Sequence, residues 1–112
     1  MDCLFCKIAE GKIPTQAVYE DERVYAFPDI HPQAPVHVLI VPREHIASIE
    51  KAEKHHAELL GHMLRAAAEI ARQKGLGKGY RVVTNVGPDG GQTVDHLHFH
   101  VLGGRAMTWP PG

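Results

Sequence analysis

Between residues 53 and 74 the apolar side chains recur every three or four positions: Leu59, Leu60, Met63, Leu64, Ala67, Ile70 and Ala71. That spacing predicts one stripe of an amphipathic helix, and Gly75 and Gly77 end it. Elsewhere the period shortens. "QAVYEDERVYAFPD" carries Val, Tyr and Phe on either side of a polar turn at Glu20 to Glu22, which predicts a hairpin of two short strands. "VHVLIV", bracketed by Pro35 and Pro42, is a β-branched run short enough for a buried central strand. After the helix, "YRVVTNV" and "DHLHFHVL" read as strands joined by the glycine-rich "GPDGGQ". Strands, one long helix, then strands imply an α+β fold, an antiparallel sheet with a helix on one face. No repeat or linker divides residues 1–112, so one domain is expected.

Composition narrows the function more than the fold. A formal net charge of −1 gives no basic field to hold nucleic acid through its phosphates. No stretch approaches the roughly 20 apolar residues of a membrane span, and the opening "MDCLFCKIAEGKIP" does not read as a signal peptide, so a cytoplasmic protein is expected. Its two cysteines form a C-x-x-C, a spacing suited to metal or redox chemistry rather than to a secreted disulfide framework. Nine histidines in 112 residues stand out.

Three of them alternate in "TVDHLHFHVLGG". On a strand, His96, His98 and His100 share one face while Leu97, Phe99 and Val101 share the other. Neighbouring imidazoles then start about 6.5 Å apart at Cα, close enough to serve one ligand. Three imidazoles and a water would make a catalytic zinc centre. Alternatively, one neutral ring attacks phosphorus while its neighbours move protons and steady charge. The segment "NVGPDGGQT" runs straight into the histidines, and a glycine-rich turn brings backbone N–H groups close to an anion. Gln92 and Thr93 add side-chain donors, so the pair reads as a phosphate cradle beside a nucleophile.

The pattern "HLHFHVL" resembles the signature of the histidine triad nucleotide-binding family, and "GGQTVDHLHFHVLGGRAMTWPPG" is similar to its Hint branch. "FPDIHPQAPVHVLIVPREHI" and "CLFCKIAEGKIPTQAVYEDE" extend the resemblance over nearly the whole chain. It implies a five-stranded antiparallel sheet with a long helix and a short N-terminal helix, continued edge to edge across a homodimer in which Trp109 reaches toward the partner's site. It also implies hydrolysis of the P–N bond in purine nucleoside 5′-phosphoramidates. His98 would be the nucleophile, its other nitrogen oriented by a backbone carbonyl. His100 would contact phosphoryl or leaving-group oxygens, and His37 would sit beside the triad. Asp29 would accept the ribose hydroxyls. Leu4, Phe5, Ile8, Phe27 and Leu39 would wall the base and sugar, with Asn85, Gly91, Gln92, Thr93 and Val94 around the phosphate and sugar.

Thr93 stands where the branch usually has serine, and Pro28 replaces a histidine beside the ribose aspartate. Some family members with the N-terminal cysteine pair bind zinc through it, which implies a structural zinc at Cys3, Cys6, His45 and His96. No organic cofactor is implied. A dinucleoside polyphosphate hydrolase and a nucleotide-binding scaffold protein are the competing readings. His55, His56 and His62 are expected to lie solvated on or beside the helix.

Overall fold

The computed structural model describes residues 3–112. Five strands form one sheet in the order β1-β2-β3-β5-β4, every neighbouring pair antiparallel. They are β1 (Tyr19–Glu20), β2 (Val24–Pro28), β3 (Val36–Pro42), β4 (Tyr80–Val83) and β5 (Phe99–Gly103). A short helix α1 (Leu4–Ala9) precedes them, and the long helix α2 (Ala57–Gln73) lies between β3 and β4. The expected α+β architecture is the one observed.

Asp21 makes the hairpin. Its Oδ1 accepts the N–H groups of Arg23 and Val24 at 2.8 and 2.9 Å, an Asx turn that reverses the chain between β1 and β2. Helix α2 ends in a Schellman motif, with Gly75 N–H on the Arg72 carbonyl and Leu76 N–H on that of Ala71. Gly75 has φ +73°, which a residue with a Cβ rarely adopts. Leu76 then packs where Gly103 has no side chain: a Cβ there would lie 2.6 Å from Leu76 Cδ1.

The sheet has two different faces. Val24, Ala26, Val38, Ile40, Phe99 and Val101 pack against Leu59, Met63, Ala66, Ala67 and Ile70 of α2, forming the main core. Tyr25, Phe27, Leu39 and Val41 pack against Phe5, Ile8 and Ala9 of α1. Strand β3 is covered on both sides, which is why Val38 to Val41 form a continuous apolar run instead of an alternating one. Truncating Ile70 or Met63, both fully buried, would cost about 2–5 kcal/mol.

Several boundaries and roles differ from the sequence reading. Helix α2 begins at Ala57, and the expected first turn, Lys54–His56, is 3-10. Strand β5 begins at Phe99, so His96 and His98 precede its paired part. His56 is not solvated: it is 6% exposed, accepts the Glu53 N–H at Nδ1 and donates from Nε2 to Glu44 at 2.8 Å. His62 pairs with Asp21 at 2.7 Å, tying α2 to the hairpin turn. Only His55 is exposed as expected. Among the described residues no helix is long and apolar enough to cross a membrane.

Candidate active site

The alternation of the triad persists although its first two members lie outside the paired strand. Leu97, Phe99 and Val101 enter the α2 core, and the Leu97 N–H is held on the Ile46 carbonyl at 2.6 Å. His96, His98 and His100 are thereby turned to the α1 side. Antiparallel pairing sets Leu39 and Val83 beside His100, and His37 opposite Leu102 on the same face.

Hydrogen bonds fix the protons on these rings. His98 Nδ1 lies 2.7 Å from the carbonyl oxygen of His96, which only accepts, so Nδ1 carries the proton and Nε2 keeps its lone pair. Among the described residues that Nε2 makes no hydrogen bond. The Thr84 hydroxyl donates to the His98 carbonyl at 2.9 Å, steadying the backbone from β4's end. Phe5 meets the His98 ring edge-on at 5.1 Å.

A second chain of bonds sets His100. The Gln33 N–H donates to His37 Nδ1 at 3.0 Å, so the His37 proton must sit on Nε2. That proton points to His100 Nδ1 at 2.9 Å, with Asp29 Oδ2 farther off at 3.5 Å. His100 Nδ1 is therefore an acceptor and its Nε2 a donor. Among the described residues this buried Nε2 has no partner, which leaves an unspent hydrogen bond. Burial, then the neighbouring His98 and His37 rings, hold the His100 pKa down at about 4 despite the opposing pull of Asp29. Burial also lowers that of His37, again against Asp29. Both rings are neutral near pH 7.

The other side-chain positions divide. Phe5, Ile8, Phe27 and Leu39 are buried together, with Val94 packed against them, whereas Leu4 is 49% exposed. Asp29 takes the His31 N–H on Oδ1 at 2.7 Å, so it is an Asx-turn residue as well as a neighbour of His37. In the glycine-rich turn, Gly91 N–H bonds the Pro88 carbonyl and Gln92 N–H that of Gly87. Those two amides close the turn itself. The Gln92 side chain donates to the Ala47 and Val94 carbonyls and accepts the Gly87 N–H, so it braces the turn. Asn85 is half-buried and Thr93 exposed.

A second constellation adjoins the first. Cys3 Sγ, Cys6 Sγ, His45 Nδ1 and His96 Nδ1 lie within 4.8 Å of one another. His96 Nδ1 is 3.3 Å from Cys3 Sγ, 3.4 Å from Cys6 Sγ and 3.2 Å from His45 Nδ1. The His96 proton sits on Nε2, which donates to the Pro42 carbonyl at 2.9 Å, leaving a lone pair facing the cluster. Edges of about 3.3–3.8 Å are those of a tetrahedron drawn around a cation at ordinary Zn–N and Zn–S lengths. The donor set and spacing therefore fit a Cys2His2 metal centre. Burial, then the hydrogen bond and charge of Cys3, push the Cys6 thiol up to about 11.

A cavity of about 590 Å³ lies elsewhere, between the 75–79 loop and Gly104 to Ala106, and none of its lining residues belongs to the triad.

The family model described as the scavenger mRNA decapping enzyme C-terminal binding region matches residues 2–109. A HIT family hydrolase from Legionella pneumophila superposes with a TM-score of 0.97 at 54% identity, covering 99% of this chain and 100% of that one. The chain belongs to the histidine triad (HIT) family, in its Hint-like branch. The 14 kDa zinc-binding protein of Zea mays is 53% identical over 97% of this chain and 87% of its own. The adenylylsulfatase HINT1 of Arabidopsis thaliana is 48% identical over 97% of this chain and 76% of its own.

The structure brings together the four residues expected to hold zinc, Cys3, Cys6, His45 and His96, and sets His37 against His100. Sequence reasoning expected a backbone carbonyl beside His98 without locating it on His96, and it missed Thr84 and the Gln33 N–H, for which residue type carries no signal. Gln33 lay within the quoted "FPDIHPQAPVH" but acts through its N–H, which any residue other than proline would offer.

Proposed function

We propose that this HIT protein hydrolyses the P–N bond of purine nucleoside 5′-phosphoramidates through a nucleotidyl-histidine intermediate. In the first displacement His98 Nε2 bonds to phosphorus, the P–N bond breaks, and the departing nitrogen takes up a proton from solvent. In the second, water adds to phosphorus, the His98 bond breaks, a proton goes to solvent and the nucleoside monophosphate leaves. The observation that carries this reading is the Nδ1–H of His98 held on the His96 carbonyl, which leaves a lone pair on Nε2. His100 Nε2–H, the unspent donor, bonds a phosphoryl or leaving-group atom, and His37 keeps that proton in place. His96 serves through its carbonyl.

Phe5, Ile8, Phe27, Leu39 and Val94 wall the base and sugar, Leu4 adds an outer edge, and Asp29 accepts the ribose hydroxyls. Asn85, Gly91 and Thr93 border the phosphate, and Gln92 contributes by bracing that turn. Cys3, Cys6, His45 and His96 hold a structural zinc, a reading supported by their spacing and by the zinc-binding name of the maize relative. Zinc there would cross-link α1 to the triad. The open edge of β4, where Tyr80 is 42% exposed, pairs with that of a second copy to make a homodimer, bringing Trp109 toward the partner's site. The setting is cytoplasmic.

Incubation with AMP phosphoramidate, acid-free quenching and peptide mass spectrometry should give an AMP adduct on the peptide carrying His98. Turnover without such an adduct would overturn the covalent route. The name of the Arabidopsis relative makes adenylyl sulfate the competitor, with sulfate leaving in place of an amine. Comparing kcat/KM for AMP-tryptamine, adenylyl sulfate and diadenosine triphosphate ranks the substrate classes.

A further inference from the structure

His96 belongs to both constellations. Its ring nitrogen Nδ1 completes the Cys3–Cys6–His45 cluster, while its carbonyl oxygen holds the Nδ1–H of His98. Phe5 lies between the two cysteines in sequence and meets both rings edge-on, at 6.1 Å from His96 and 5.1 Å from His98. Cys3 and Cys6 are free thiols of intermediate exposure, open to a small oxidant, while His96 and His98 are buried.

We infer that the C-x-x-C is a redox switch for the nucleotide site, turned off when Cys3 and Cys6 join in a disulfide and on when both thiols face His96. This rests on the function proposed above. The oxidant is of the peroxide class. One cluster thiolate attacks a peroxide oxygen, the O–O bond breaks, and a sulfenic acid and hydroxide form. The second thiolate attacks that sulfur, the S–S bond forms and a second hydroxide leaves. Two protons from solvent convert both hydroxides to water, and only His45 and His96 would remain to hold a cation.

Closing the S–S bond draws both sulfurs from within about 4.8 Å to bonding distance and away from His96 Nδ1. His96 then loses two of the three groups around that nitrogen, and the first turn of α1, with Phe5 on it, shifts against His98. The nucleophile loses its orienting carbonyl and its wall together.

The test uses the intact, reduced, zinc-loaded protein, titrated with hydrogen peroxide. Zinc release is followed with a chromophoric chelator, the disulfide by mass, and the His98 tautomer by long-range ¹⁵N–¹H NMR. AMP affinity is measured by calorimetry and His98 adenylylation by mass. Expected on oxidation is one zinc lost per disulfide, loss of the single Nδ1–H pattern at His98, and an adenylylation rate lower by about 10–100-fold, as for lost outer-shell support. Dithiothreitol and zinc should restore all of these. A disulfide that leaves the His98 tautomer, AMP affinity and adenylylation rate unchanged would overturn the inference. Failure of even the reduced protein to adenylylate, with the tautomer still responding, would count against the proposed chemistry instead. Should oxidation unfold the protein, Cys6→Ser decides: it cannot form the disulfide, and its residual rate must be indifferent to peroxide.

Discussion

Two regions of this molecule hold histidines in place, and they spend them differently. At the start of α2, His56 uses Nδ1 on the Glu53 N–H and Nε2 on Glu44, and His62 uses Nε2 on Asp21. Across the sheet, His98 and His100 each spend one nitrogen on orientation and leave the other open toward the site. Burial alone does not mark a reactive histidine, since His56 and His98 are 6% and 5% exposed. What distinguishes the site is burial combined with an incomplete set of hydrogen bonds, since His62, bonded at one nitrogen, is partly exposed. A buried ring bonded at both nitrogens is a strut, whereas a buried ring bonded at one keeps a nitrogen for a ligand.

Substitution should separate the two kinds, most sharply at His98. His98→Gln is expected to lower turnover of AMP phosphoramidate at least about a thousandfold while the melting temperature holds, as for loss of a covalent nucleophile. Steady-state kinetics beside a thermal melt checks both halves. Should the variant instead lose stability and keep its rate, His98 belongs with the struts.

At His56 the pattern reverses. His56→Ala strands the Glu53 N–H and removes a buried ring, for a cost of about 1–3 kcal/mol in urea unfolding, with KM unchanged.

Acid provides a third contrast. His100 takes a proton only near pH 4 when folded, whereas the unfolded chain takes it near its ordinary pKa of 6.5. Protonation below 6.5 therefore favours the unfolded state. The His100 contribution to stability is fully present above pH 6.5 and is lost as pH falls toward about 4. Urea titrations of wild type and His100→Gln between pH 7 and 4 should show a flatter decline in the variant; parallel curves would refute the assignment.

The smallest effect belongs to His62. His62→Gln removes a half-exposed pair with Asp21, worth about 0.2–1 kcal/mol, and leaves turnover untouched. Asp21 itself loses little, because the Arg23 and Val24 N–H groups also oppose its burial and help hold its pKa down at about 2.

The chain's pattern of apolar residues was enough to read the helix, the hairpin and the central strand, because periods of 3.6 and 2 translate directly into faces. Alternation in "HLHFHVL" likewise set the histidines opposite Leu97, Phe99 and Val101, even where no ladder bonds hold the backbone. The four donors of the Cys2His2 cluster were named from motif resemblance, and the fold brings them together. Where β5 begins was not legible, since Asp95 to His98 alternate like a strand whether or not a neighbour pairs with them. Nor was the fate of His56 and His62, whose partners Glu44 and Asp21 lie 12 and 41 residues away.

Tertiary structure alone decided which nitrogen of each ring carries the proton. Residue type gives an imidazole two interchangeable tautomers; only the carbonyl, amide or second ring that folding places against it breaks that symmetry. For His98 the deciding group is the carbonyl of His96, two residues back, and for His100 it is a chain of contacts reaching to the Gln33 amide.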